Sequence, residues 1–156
     1  MKVQELMTRK VRVCRSTDML NTAARVLWEA DCGAVPIVDE KARVVGMLTD
    51  RDICMAAYTQ GRPLESIGVA SAMSPVVVSC MPDQTMKDVH DLMRANQLRR
   101  LPVVDPSGRL VGIVSVNDLL REAERQRDRK FQELTLVEVA TTLVLISEPR
   151  PADPAV

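Results

Sequence analysis

Aromatic side chains are nearly missing from this chain of 156 residues, which carries one Trp, one Tyr and one Phe, 2% of the total. With Trp28, Tyr58 and Phe131 as its only rings, the interior has to be built from aliphatic residues. Net charge is missing too. Lys plus Arg equals Asp plus Glu at 21 each, so no overall field gathers nucleic-acid phosphates or an anionic membrane surface. The first residues, Met1-Lys2-Val3-Gln4-Glu5, lack the apolar core of a signal peptide, and the longest apolar stretch, 136–146, contains Glu138 and is too short to span a bilayer. A cytoplasmic protein is expected. The four cysteines, Cys14, Cys32, Cys54 and Cys80, include no Cys-x-x-Cys pair, which argues against a zinc cluster or redox motif and for buried free thiols. The single histidine, His90, has no metal-spaced partner and no nucleophilic cysteine beside it, and is expected to be a partly exposed helix residue. No metal is expected. Trp28 is read as a core or interface anchor.

What is present is a repeat. Sliding the sequence on itself pairs Met7 with Met73, a shift of 66 residues, and the same shift pairs Cys14 with Cys80, Pro36 with Pro102, Val38-Asp39 with Val104-Asp105, Val45-Gly46 with Val111-Gly112 and Asp52 with Asp118. No gap is needed from Met7 to Ile53. Two copies of one structural unit follow. In each copy a short β-branched run (11–14 and 76–79) reads as a strand, and helical periodicity follows at Leu20, Ala23, Ala24, Leu27 and at Met86, Val89, Leu92, Met93. An apolar hairpin then leads into a second helix beginning near Asp50 or Val116. The expected fold is α/β (α+β), a β-α-β-β-α unit used twice: residues 1–60 as the first repeat, 61–68 as a linker and 69–130 as the second repeat with an extended, solvated last helix. Thr135 and Glu138 form a capping box for a C-terminal helix within 131–148, and 149–156 is a proline-rich tail expected to be disordered.

Chemistry concentrates at the second strand-to-helix junction of each copy, Gly46-Met47-Leu48-Thr49-Asp50-Arg51-Asp52 and Gly112-Ile113-Val114-Ser115-Val116-Asn117-Asp118. A helix amino-terminus there offers free amides and a positive dipole end to a phosphate. The hydroxyl of Thr49 or Ser115 can donate to a phosphate oxygen, and Asp52 or Asp118, one turn on, can accept ribose hydroxyls. The glycine lets a ligand or a neighbouring backbone come close.

These paired Gly-x-x-Thr/Ser-x-x-Asp segments resemble those of the CBS-domain family, named for cystathionine β-synthase, and the resemblance runs from about residue 3 to 122 in two complete copies. It implies two repeats packed about a pseudo-twofold axis, with clefts that take the phosphate and ribose of an adenosine nucleotide, AMP, ATP or NAD first among the candidates and ADP or S-adenosylmethionine behind them. It also implies that the residues before the buried prolines, Gly33, Ala34 and Val35 in one copy and Arg99, Arg100 and Leu101 in the other, line those clefts. Small residues leave room for a purine, an arginine can pair with a phosphate, and Arg51 is a further phosphate candidate. The chain resembles a stand-alone bacterial pair protein of the Bateman-module type, which would act as a homodimer and signal to a regulated protein partner. The competing reading is a nucleotide-independent interaction module working through its C-terminal helices. An enzyme ranks last, because no catalytic triad order, metal cluster or Walker loop is present.

Overall fold

A computed structural model describes residues 1–149. The expected disordered tail, apart from Pro149, lies outside the described residues. Within them the chain runs α1 (Val3–Leu6), β1 (Cys14–Arg15), α2 (Leu20–Glu29), β2 (Ala34–Val38), β3 (Val44–Thr49), α3 (Asp50–Gln60), α4 (Met86–Asn96), β4 (Arg100–Val104), β5 (Leu110–Ser115), α5 (Val116–Gln126) and α6 (Leu136–Ile146). Two single 3₁₀ turns, Leu64–Ser66 and Val69–Ser71, fill the connection between the halves.

The two hairpins are built alike. β2 and β3 pair antiparallel with Ala34 opposite Thr49, β4 and β5 pair antiparallel with Arg100 opposite Ser115, and each hairpin has its bulge at the matching step, Ile37/Val38 and Val103/Val104. Burial explains why these runs are strands. Every residue of β2 is buried, and β4 is buried from Leu101 onward, as continuous apolar stretches bounded by turn residues should be.

The expected first strands are shorter than the β-branched runs that suggested them. The run 11–14 contributes only Cys14 to β1, which pairs parallel with β2 through Cys14–Ile37 and Arg15–Val38. In the second repeat one parallel bridge, Cys80 to Val103, is all that forms. Just upstream the backbone is used differently: Thr8 bridges Ile113 of β5, and Ser74 bridges Met47 of β3. The chain arrives from the opposite repeat's hairpin and meets its own β2 or β4 for only a residue or two.

That crossing decides where the cores sit. One cluster gathers Cys14, Leu20, Leu27, Val35, Ile37, Leu48 and Ile53 with Ile67 and Val69 from the connection. The other gathers Cys80, Met86, Val89, Met93, Leu101, Val103, Val114 and Leu119 with Val3 and Met7 from the amino-terminus, and with Leu134, Val139 and Ile146 from the C-terminal region. Residues at the start of the chain therefore pack with the second repeat. Residues of the connection pack with the first.

Gly46 and Gly112 show the crossing at atomic scale. A Cβ on Gly46 would stand 2.7 Å from Met73 Sδ and 3.1 Å from the Ser74 carbonyl oxygen; on Gly112 it would stand 2.6 Å from Met7 Sδ and 3.1 Å from the Thr8 carbonyl oxygen. Of the two roles open to these glycines, close approach of a neighbouring backbone is the one seen.

The last helices differ from expectation in one respect. α5 ends at Gln126 rather than running through the charged stretch, and Glu122 and Gln126 are buried instead of solvated. Gln126 Nε2 donates to Glu122 Oε1 at 2.8 Å, while Gln126 Oε1 accepts from the Glu133 and Leu134 amides at 2.8 and 3.3 Å. This side chain turns the chain back so that α6, capped by Thr135 and Glu138 as the sequence suggests, lies on both α4 and α5.

Candidate functional site

Thr49 closes β3 and caps α3. Its Oγ1 donates to Asp52 Oδ2 at 2.7 Å and accepts from the Asp52 amide at 3.1 Å, while the Thr49 amide donates to the same Oδ2 at 2.8 Å. The second repeat copies this box with Ser115 and Asp118 at 2.6, 3.3 and 2.8 Å. In both, the hydroxyl hydrogen expected to meet a phosphate is directed at a carboxylate, because a Thr or Ser followed three residues later by an acid satisfies the orphan amides of its own helix.

The other first-turn amides of α3 are also engaged. Asp50 N donates to the Gly33 carbonyl at 3.4 Å and Arg51 N to Asp50 Oδ1 at 2.8 Å. What the motif leaves open is Asp52 Oδ1, which accepts no hydrogen bond among the described residues. Its counterpart, Asp118 Oδ1, is approached by Arg121 Nη2 at 3.5 Å. The two boxes match in the backbone and differ in the free oxygen.

Thr49 and Asp52 stand in a cleft of about 1060 Å³ shared by both halves of the chain. The first half contributes Gly33, Ala34, Met47, Asp50 and Arg51; the second contributes Ser74, Val76, Val78, Leu98, Arg99 and Arg100, and the end of α6 adds Ile146 and Glu148. Of the residues singled out from the sequence, Gly33, Ala34, Thr49, Arg51, Asp52, Arg99 and Arg100 are thus brought together. Val35 and Leu101 are fully buried inside the two cores, because strand residues one step apart point to opposite faces. Ser115 and Asp118 cap α5 and are not part of this lining. At the 66-residue offset from Val76 and Val78, the second box has Lys10 and Arg12 instead.

Three arginines enter the same cleft. Arg99 Nη2 donates to Ser147 Oγ at 3.4 Å, the guanidinium of Arg100 comes within 3.6 Å of where a Gly33 Cβ would lie, and Arg51 is exposed on the first turn of α3. A larger residue at 33 would crowd Arg100 and the Asp50 carboxylate. Ile146 and Glu148 were missed by sequence reasoning; no offset links α6 to the repeat, so only its folding back onto α4 and α5 could reveal them.

His90 departs from its expected exposure. It is 5% exposed, and its Nδ1 lies 2.6 Å from Thr142 Oγ1. That hydroxyl donates to the Glu138 carbonyl at 3.0 Å and accepts from Arg94 Nε at 2.9 Å, which leaves it to accept from Nδ1–H. His90 Nε2 is buried without a hydrogen-bond partner among the described residues, and burial, then the Arg94 charge, holds the imidazole below its ordinary value of 6.5. The cysteines also divide. Cys14 and Cys80 are buried with thiols pushed up to about 11 chiefly by desolvation, while Cys32 is half-buried and Cys54 exposed rather than enclosed.

A helix-hairpin-helix unit used twice, with a cleft between its copies carrying a capped carboxylate and a cluster of arginines, defines a tandem-repeat class of protein. The CBS domain profile matches residues 3–58 and 69–125, and the chain belongs to the CBS-domain family. It is 38% identical to the CBS domain-containing protein YhcV of Bacillus subtilis over 117 residues, 75% of this chain and 81% of that one. Among solved structures it is similar to a putative signal-transduction protein with CBS domains from Burkholderia ambifaria, with a TM-score of 0.72 at 25% identity over 85% of this chain and 98% of that one. It is also similar to the CBS domain pair of protein MJ0100 in complex with 5′-methylthioadenosine and S-adenosyl-L-methionine, with a TM-score of 0.69 at 27% identity over 78% of this chain and 94% of that one. Among the described residues no helix is long and apolar enough to cross a membrane, and no group of three or more His, Cys, Asp or Glu is placed to hold a metal ion.

Proposed function

We propose that the chain is a regulatory module, not an enzyme, and that it binds an adenosine-containing nucleotide in the cleft at Thr49 and Asp52. The observation that carries this reading is the free Asp52 Oδ1, held by its own helix cap beside Arg51, Arg99 and Arg100 in a space that both repeats enclose. In it Asp52 accepts the ribose hydroxyls, the arginines take the phosphates in place of the occupied amides, and Val76, Val78, Leu98 and Ile146 lie against the base. The adenosyl ligands of the MJ0100 pair support an adenosine compound over other nucleosides. The box at Ser115 and Asp118, with Lys10 and Arg12 at the offset positions, is the weaker base site and the more cationic one. A homodimer working in the cytoplasm and signalling to a regulated protein partner completes the reading, with occupancy shifting the balance between two packings of the repeats.

A thermal-shift panel of AMP, ADP, ATP, NAD and S-adenosylmethionine tests it. A ligand at ~100 times its dissociation constant adds ~2.7 kcal/mol of stability, a rise of several degrees for a chain of this size. Asp52→Ala is expected to abolish the largest rise, and Asp118→Ala to leave most of it. No rise with any of the five compounds rejects the reading.

A further inference from the structure

The wall that α6 adds to the cleft carries charge of the wrong sign for a polyphosphate. α6 ends at Ile146, and Ile146 and Glu148 join the lining. Its last turn holds no basic residue, so the negative end of the helix dipole is not offset from within the helix. The offset comes from the opposite wall, where Arg99 Nη2 donates to Ser147 Oγ at 3.4 Å. One of the three arginines of the cleft is thus already drawn towards α6. Glu148 itself is held in place by the fold. Gln97 Nε2 donates to its carbonyl at 2.9 Å, and the helix that precedes it is fixed by the buried Val139, Thr142 and Ile146.

With Glu148 in the lining, the charges of the cleft balance. Arg51, Arg99 and Arg100 share it with Asp50, Asp52 and Glu148, and no two of these six close to an ion pair. Without Glu148 the arginines would outnumber the carboxylates, so this one residue decides whether the site is neutral or cationic. Arg51 and Arg100, whose guanidinium groups make no hydrogen bond among the described residues, remain to take one anionic group. The backbone is not prepared for a second. The amides of Asp50, Arg51 and Asp52 already donate within the protein, and the Thr49 hydroxyl is directed at Asp52, so the fixed donors that cradle a phosphate chain at a helix amino-terminus are engaged.

From this balance we infer that Glu148, which lies outside both repeats, is a specificity-determining residue: it fits the cleft to an adenosine compound bearing a single phosphate and turns polyphosphates away. The inference rests on the adenosine reading of that cleft and names the ligand class within it. Each phosphate beyond the first brings further negative charge into a lining that is already neutral, and a carboxylate at its edge repels that charge. The selection belongs to this cleft alone. At the 66-residue offset Gln97 and Arg99, which hold the end of α6, become Asp31 and Gly33, and Val76 and Val78 become Lys10 and Arg12.

Calorimetric titration of the full chain with AMP, ADP and ATP tests it, in buffer without divalent cations so that each nucleotide keeps its whole charge. The wild type is expected to bind AMP ~10-fold more tightly than ATP, with ADP between them. Glu148→Gln keeps the shape of the side chain and the main-chain bond to Gln97. It is expected to tighten ATP by ~5-fold or more and AMP by ~2-fold or less, as removal of one partly screened charge near an anion does. Glu40→Gln, at the turn of the first hairpin and so at its far end from Thr49, removes the same charge from the molecule and is expected to leave the ratio where it was. ATP bound as tightly as AMP, a ratio unmoved by Glu148→Gln, or one moved as far by Glu40→Gln overturns the role of Glu148 and leaves the adenosine site standing. Failure to bind AMP while another compound of the thermal-shift panel binds has the same meaning. Failure of AMP together with a silent panel removes the adenosine reading and this inference with it.

Discussion

At the scale of single residues the two repeats obey the same backbone even where their sequences differ. Asp31 and Gln97, at matching positions, both take positive φ, 47° and 51°. Ala42 and Gly108 also match, and both are left-handed, φ 59° and 81°, at the turn of each hairpin. The turn is fixed by its aspartate: Asp39 accepts from the Lys41 and Arg43 amides, and Asp105 from the Ser107 and Arg109 amides. Only glycine adopts such a φ without a Cβ penalty, so the second repeat has the compatible residue and the first does not. Ala42→Gly is therefore expected to stabilise the protein by roughly 0.5–1 kcal/mol, the relief of strain exceeding the added freedom of the unfolded chain. Urea unfolding monitored by circular dichroism measures it; a destabilisation would mean that the turn is not strained at Ala42.

At the scale of elements the helix least determined by the repeat, α6, depends on a buried polar node. His90, Arg94 and Thr142 tie α4 to α6, and the groups facing the imidazole are Arg94 and Asp91 on α4 and Glu138 on α6. The fold holds His90 neutral, with its folded value below 6.5. As pH falls through 6.5, the unfolded chain takes up the proton before the folded one does, so the stability owed to the neutral ring is present above that value and declines with acidification. The melting temperature is expected to fall between about pH 7 and about pH 5, ahead of carboxylate titration, and His90→Asn to flatten that slope. An unchanged slope in the variant would remove His90 from the account. The same element shows why α6 could be read as a helix and not as a wall of the cleft: its capping box and apolar run are local, but its seat is set by side chains about 50 residues away in sequence.

At the scale of the whole molecule the halves are interlocked rather than strung in series. Val3 and Met7 pack in the second core, Ile67 and Val69 in the first, and Met7 and Met73 press on the glycines of the opposite hairpins. Met7→Ala, far from α4 and α5 in sequence, is expected to cost about 2–3 kcal/mol through lost burial in the second core. Because each core borrows residues from the other side of the chain, denaturation is expected to remain one cooperative transition in that variant. Two resolved transitions in guanidinium would show that the halves unfold independently.

The repeat, the hairpins, the helix caps and the motif at Thr49 and Asp52 were determined by the sequence itself, because each depends on residues close together or on a pattern that recurs at one fixed offset. The crossing of the amino-terminus into the second core, the difference between Asp52 and Asp118, the burial of His90 and the share of α6 in the cleft were decided by tertiary structure alone. Those features arise where segments distant in the chain compete for the same apolar surface or the same hydrogen bond, and local composition is silent on which of them wins.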